Sequence, residues 1–204
     1  MRLIRVFLPL LIAALALGAC SRQFATSYDS PVAAGTAGDW RLAEVRVTVP
    51  DSLTVSEAKT LMPRADIVWR EDPPGDRHPQ VAAIVRNAAL AGASGLNGRR
   101  PVRLDIVVTR FHALTFEAES RLRWSGVHNI DFSIRVVDAE SRAVLAGPEM
   151  VEAALPALTG AEMAAARARG ESQKSQISAH LGAVIAGWLG LGPDPRGSFT
   201  RLGL

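Results

Sequence analysis

The chain has one cysteine, one tyrosine and 5% aromatic residues in 204 positions. With only Cys20 there can be no intrachain disulfide, so stability must come from buried apolar surface. Hydrophobic residues make up 48%, ample for the core of one medium-sized domain. Lysine is nearly missing: only Lys59 and Lys174 interrupt a set of positive charges otherwise built from arginine. The charge excess is small. Formal net charge is +3, and it falls to +1 once Arg2 and Arg5 are set aside. Nucleic-acid binding rests on clustered positive charge and is not expected here.

Catalytic and cofactor motifs are missing as well. There is no His-Glu-x-x-His, no phosphate loop and no Gly-x-Gly-x-x-Gly. "GASGL" at 92–96 ends on Leu96 where a nucleophile elbow needs glycine, and it follows a helical pattern rather than a strand. His78, His112, His128 and His180 are scattered, and none stands at metal-ligand spacing from another. The expectation is a non-enzymatic protein with no catalytic residue, metal or cofactor.

What is present begins with an address. Arg2 and Arg5 precede an apolar run from Val6 to Leu17, broken once at Pro9. The run is shorter than the roughly 20 residues of a spanning helix. Small residues follow, which is the layout of a secretory signal peptide. Leu17-Gly18-Ala19-Cys20 resembles the lipobox of bacterial lipoproteins. The resemblance implies a diacylglyceryl thioether on Cys20, cleavage between Ala19 and Cys20, and acylation of the new amino group. One acyl chain binds a membrane only marginally, whereas two or three on one residue anchor it. A thioether has no thiolate to offer, so a lipidated Cys20 cannot be a nucleophile. Ser21 rather than aspartate follows the cysteine. By the same resemblance the protein goes to the outer membrane and faces the periplasm.

The remaining chain divides into a flexible tether at 20–38, a single domain at 39–190 and a loose tail at 191–204. The tether is small and polar, without helical or strand period. In the domain, Val45, Val47 and Val49 alternate as a strand. Thr54 and Glu57 have capping-box spacing and predict a short helix from Val55 to about Met62. A brief strand is expected at Asp66–Arg70. Val81, Ile84, Val85, Ala88 and Ala89 form one helical stripe. Val102, Leu104, Ile106 and Val108, then Ile130, Phe132, Ile134 and Val136, alternate in two strands with a turn expected near Glu119 and Ser120. "AVLAGPEMVEA" is a third strand. Thr159 and Glu162 open a helical end that Gly170 breaks, and Ile177, Leu181, Val184, Ile185, Trp188 and Leu189 form its stripe. The order β-α-β-α-β-β-β-α predicts an α+β fold, a mainly antiparallel sheet with helices packed on one face.

Two polar clusters stand out. "REDPPGDRH" at 70–78 brings carboxylates near Asp76 and His78. It reads first as a solvated turn with Asp76 as a helix cap, and otherwise as a recognition loop or an acid–base site of a hydrolase. "NGRRPVR" at 97–103 supplies Arg99, Arg100 and Arg103, a basic spot that would suit lipid headgroups. Trp40, Trp69, Trp124 and Trp188 are expected in or beside the core.

The stretch from Val102 to Gly147 resembles small periplasmic lipoproteins, the auxiliary lipoproteins of lipid-transport ABC systems and the curli-export type. The resemblance rests on layout behind a lipobox, including "RVVD", a polar turn and "VLAG". It implies an envelope role in assembly, transport or partner binding, with a protein partner and with the membrane held through Cys20. A second reading is a carrier of lipid or another hydrophobic ligand, with the last helix lining a cavity.

Overall fold

The computed structural model describes residues 21–202. Ala19, Cys20 and the leader lie outside the described residues. Strand β1 (Ser21–Ser27) is followed by a 3-10 turn and β2 (Trp40–Thr48), then by the short β3 (Ile67–Val68). Next come α1 (Arg77–Gly92), β4 (Arg100–His112), α2 (Phe116–Arg121), β5 (Val127–Asp138) and β6 (Val144–Pro156). The last elements are α3 (Gly160–Ala168), α4 (Gln173–Trp188) and β7 (Gly197–Leu202). The fold is α+β, with one seven-stranded sheet in the order β2-β4-β5-β6-β1-β7 and β3 beside the end of β4. β2 and β3 run parallel to β4, and the other pairings are antiparallel.

The meander forms because its alternation is strict. Leu104 pairs with Val136, Ile106 with Ile134 and Val108 with Phe132. All six side chains point to one face and are buried. In β2 the apolar phase changes, from Trp40 and Leu42 to Val45 and Val47. A bulge between Leu42 and Glu44 inserts Ala43 and keeps both pairs facing inward. The stripes of α1 and α4 cover that face, as their periods predict. Their axes approach so closely that a Cβ on Gly92 would lie 2.4 Å from the Gly182 carbonyl oxygen. Ile177, Leu181 and Val184 are at most 1% exposed and pack with Val81, Ile84 and Val85 in one core. A ligand cavity under the last helix is thereby ruled out.

Several expectations are corrected. The tether is not loose: Ser21–Ser27 form β1, an inner strand. Nor is the tail: Gly197–Leu202 form β7 and pair with Ser21–Thr26. Neither segment has enough apolar alternation to announce itself. β7 becomes a strand because β1 offers it a ladder, and β1 because β7 and the end of β6 do, which is the context dependence of β-propensity. Tyr28 and Val32 are buried in the core, and Trp188 donates from Nε1 to the Ser30 carbonyl at 3.1 Å.

The helix expected at 55–62 is absent. The Thr54 amide and hydroxyl both donate to the Asp66 carboxylate at 2.8 and 2.7 Å, and Val55 bridges to Ile67. The capping residue is thus drawn into a loop, and Glu57 turns to Arg77 instead. Where a turn was expected near Glu119, Thr115 caps α2 by accepting from the Ala118 amide. Leu114, Ala118, Leu122 and Ala157 then make a small second core. Trp40, Trp69 and Trp188 are buried, but Trp124 is 73% exposed with φ 58°.

Candidate functional site

The polar loop at 70–78 is built into the scaffold. Asp76 caps α1 by accepting from the His78 amide at 3.0 Å, and this bond holds its carboxyl below the ordinary range. The His78 ring contacts Asp76 and the Leu53 carbonyl. Arg77, 4% exposed, donates to Glu57, to the Asp72 and Pro73 carbonyls and to Gln80. Glu71 accepts from the Gln173 and Lys174 amides, capping α4 across the fold. Asp72 accepts from Trp69 Nε1 at 2.8 Å and from Lys174 Nζ at 2.7 Å. Burial raises the Asp72 pKa, but these two bonds outweigh it and leave the group below its ordinary value. Every carboxylate here is engaged in fixing a helix start or a side chain.

The basic spot at 97–103 does not persist in space. Arg99 is 98% exposed, 3.9 Å from Asp39. Arg100 donates to Asp138 at 2.6 Å. Asp138 is held well below the carboxylate range, first by the Ser141 amide and then by Arg100. Arg103 makes a two-point contact with Asp105 at 2.6 and 3.0 Å, and Arg135 reaches the same carboxylate from β5 at 3.0 Å. Arg103 chiefly holds Asp105 below its usual pKa, against burial. Arg103, Asp105 and Arg135 lie on the sheet face opposite the one that α1 and α4 cover, Arg135 as the cross-strand neighbour of Asp105.

A different set of arginines converges on one end of that face. β1 meets β6 only through Thr26 and Ser27, whereas Ser21–Thr26 all pair with β7. The opening left between its first half, the end of β4 and the start of β5 is a groove of about 440 Å³. Arg22, Arg64, Arg110 and Arg201 line it together with His112, and among the described residues no acidic one does. Leu61, Met62, Leu114, Leu122 and Phe24 supply its apolar wall. Arg22 stands directly opposite Arg201 in the β1–β7 register, and Phe24 opposite Phe199. The two rings stack at 5.8 Å, and each guanidinium lies 5.5 Å from the ring on its own strand. Arg110 has Asp131 at 3.5 Å. Among the described residues no carboxylate lies within ion-pair distance of Arg22, Arg64 or Arg201. Arg201 Nε is shielded from water without a hydrogen-bond partner.

This groove was not anticipated, because its arginines are spread over 180 positions of sequence. One signal exists. Arg-Gln-Phe at 22–24 and Phe-Thr-Arg at 199–201 are mirror images, and antiparallel pairing sets like against like.

His128 is fully buried with neither ring nitrogen bonded, and burial lowers its pKa to about 3. His180, near it, contacts the Thr26 hydroxyl at 3.1 Å and is likewise lowered by burial. Among the described residues no group of three or more His, Cys, Asp or Glu is placed to hold a metal. No described helix is long and apolar enough to cross a membrane.

Solved structures similar to this chain include a family DUF330 protein from Xanthomonas campestris, at 14% identity and TM-score 0.47, covering 79% of this chain and 88% of the other. A PelC dodecamer from Paraburkholderia phytofirmans aligns at 13% identity and TM-score 0.37, covering 81% and 96%. A candidate lipoprotein from Caulobacter crescentus CB15 aligns at 17% identity and TM-score 0.29, covering 55% and 85%. No curated protein matches the sequence. The model of the family of unknown function DUF6778 matches residues 40–203, nearly the whole folded domain, and the chain belongs to that family.

Proposed function

We propose that the chain is a non-enzymatic envelope lipoprotein, anchored through lipid on Cys20, facing the periplasm from the outer membrane and binding a protein partner there. Its role would be that of an auxiliary component in an envelope assembly or lipid-transport system. The observation that carries this reading is the start of β1. Ser21 is already paired in the sheet, so the lipobox cysteine is one peptide unit, about 3.8 Å, from the folded domain. A lipid there would hold the β1–β7 end of the sheet against the bilayer without a spacer. That end carries the groove arginines and the exposed Met62, with exposed Trp124 between the groove residues Leu122 and Ser125. Arginine beside exposed tryptophan suits the headgroup level of a membrane.

The helix-free sheet face would then be presented to a partner. Met150, Val144 and Val107 are exposed near its paired charges, a mixed surface of the sort that partner binding uses. The loop at 70–78 supports the non-enzymatic part, since its carboxylates and Arg77 are all engaged by structural contacts.

The test is photo-crosslinking in cells from a reactive residue at position 150, with the same label at Leu90 on α1 as the control. A discrete envelope-protein adduct from position 150, lost on changing Arg135 but absent from position 90, is expected. No adduct, or the same adducts from both positions, would contradict the partner reading.

A further inference from the structure

We infer that the arginine-lined groove at the β1–β7 end binds an anionic amphiphile, with a phosphate held by Arg22, Arg64 and Arg201 and an acyl chain lying on Leu61, Met62 and Leu122. This goes beyond the anchor, because the groove's side chains belong to the folded domain after Cys20. The electrostatics of the groove favour an anion. Directly opposed like charges weaken an antiparallel pair. Arg22 and Arg201 are so opposed, with Cα atoms about 5 Å apart by strand geometry. Elsewhere on the same face the fold places an aspartate between arginines, as Asp105 stands between Arg103 and Arg135. At the groove Asp131 sits beside Arg110, and Asp131 and Glu152 line the adjoining hollow with Arg22, but among the described residues no carboxylate is within ion-pair distance of Arg22 or Arg201.

Arg201 also carries an orphaned donor. Arg201 Nε is out of contact with water and has no acceptor, an arrangement that disfavours the unliganded state. Nε is closed off as the side chain stands, so a phosphate would be met by the accessible terminal nitrogens, and a guanidinium suits phosphate in such a two-point contact. The wall of the groove is partly apolar. A simple phosphate site would be polar throughout, but this groove is continuous with apolar side chains, and Met62 at its lip is 60% exposed. Head and chain recognition are therefore adjacent. The Phe24–Phe199 stack underlies the two guanidinium groups and keeps them in place.

The experiment is calorimetric titration of the full chain, purified in neutral detergent, with three probes: dihexanoyl phosphatidic acid, dihexanoyl phosphatidylcholine and inorganic phosphate. Saturable binding of the phosphatidic acid is expected, about tenfold or more tighter than either other probe, and weakening as salt rises. Arg22→Gln with Arg201→Gln should reduce that affinity about tenfold or more, while Arg103→Ala, whose partner is Asp105, should not change it. Should the double variant fail to fold, Arg64→Gln in the neighbouring loop serves in its place. Equal binding of the two lipids would overturn the role of the charge. Equal binding of inorganic phosphate would overturn the role of the chain. Unchanged affinity in the arginine variants would overturn the site.

Discussion

Two sets of arginines are treated in opposite ways by this fold. Arg99, Arg100 and Arg103 are neighbours in sequence and form the most obvious basic spot. The structure separates them and sets each beside an aspartate. Arg22, Arg64, Arg110 and Arg201 come from four distant segments and meet in one groove, where among the described residues only Arg110 has a carboxylate within ion-pair distance. The first set is charge-paired and runs from the solvated Arg99 to the mostly covered Arg103. The second is held together by strand pairing against its own repulsion. Clustering along the chain therefore says little about clustering in space, and an unpaired charge says more about ligands than a dense one.

That contrast can be broken by substitution. The largest loss is expected where an arginine is most fully paired. Arg77→Ala removes a buried guanidinium from Glu57, two carbonyls and Gln80, and should cost about 3 kcal/mol in urea denaturation. Asp105→Ala leaves Arg103 and Arg135 facing each other and should cost about 2 kcal/mol. In the groove the sign should reverse. Arg22→Gln relieves a like-charge pair and should leave stability unchanged or raise it by about 0.5 kcal/mol, more visibly at low salt. A loss at Arg22 as large as that at Asp105 would mean that its packing on Phe24 is structural and would remove the contrast.

His128 extends the comparison to a neutral group kept without partners. Its folded-state pKa is depressed to about 3, while the unfolded chain titrates near the ordinary value of about 6.5. Between those values the unfolded state binds a proton that the folded state refuses. Stability should therefore fall as pH drops below about 6.5, by up to about 1.4 kcal/mol per pH unit from this group. His180, also depressed, should add to the slope. His128→Leu removes two unsatisfied nitrogens, should not destabilise at pH 7, and should flatten the acid limb relative to the parent chain. Denaturant midpoints at pH 7, 6 and 5 for both chains check this, and parallel curves would contradict it.

How much of this was legible in the sequence depended on whether a signal was local. The meander strands, α1 and the stripe of α4 carry their periods in consecutive residues, and the expected face is the buried one. Gly170, with φ 83°, breaks the last helical stretch where expected. Segments whose structure is imposed by distant partners could not be read. β1 and β7 depend on each other, from opposite ends of the domain. The loop at 54–66 follows the Thr54–Asp66 bonds rather than the capping pattern that Thr54 and Glu57 display. The same rule governs the candidate sites. Asp76 as a helix cap is a local prediction and stands in the structure as one. The groove is assembled by topology alone, and Arg22 gained meaning only when Arg201 was found across from it.

The most direct test of the account concerns the residue next to β1. Intact-mass and peptide mass spectrometry of the protein extracted from membranes should find a mature chain beginning at Cys20, with two or three acyl chains on that residue. The Cys20→Ser chain should carry none and should incorporate no labelled palmitate. A chain that retains Ala19 joined to an unmodified Cys20, or a Cys20→Ser chain that still takes up palmitate, would contradict the lipoprotein reading.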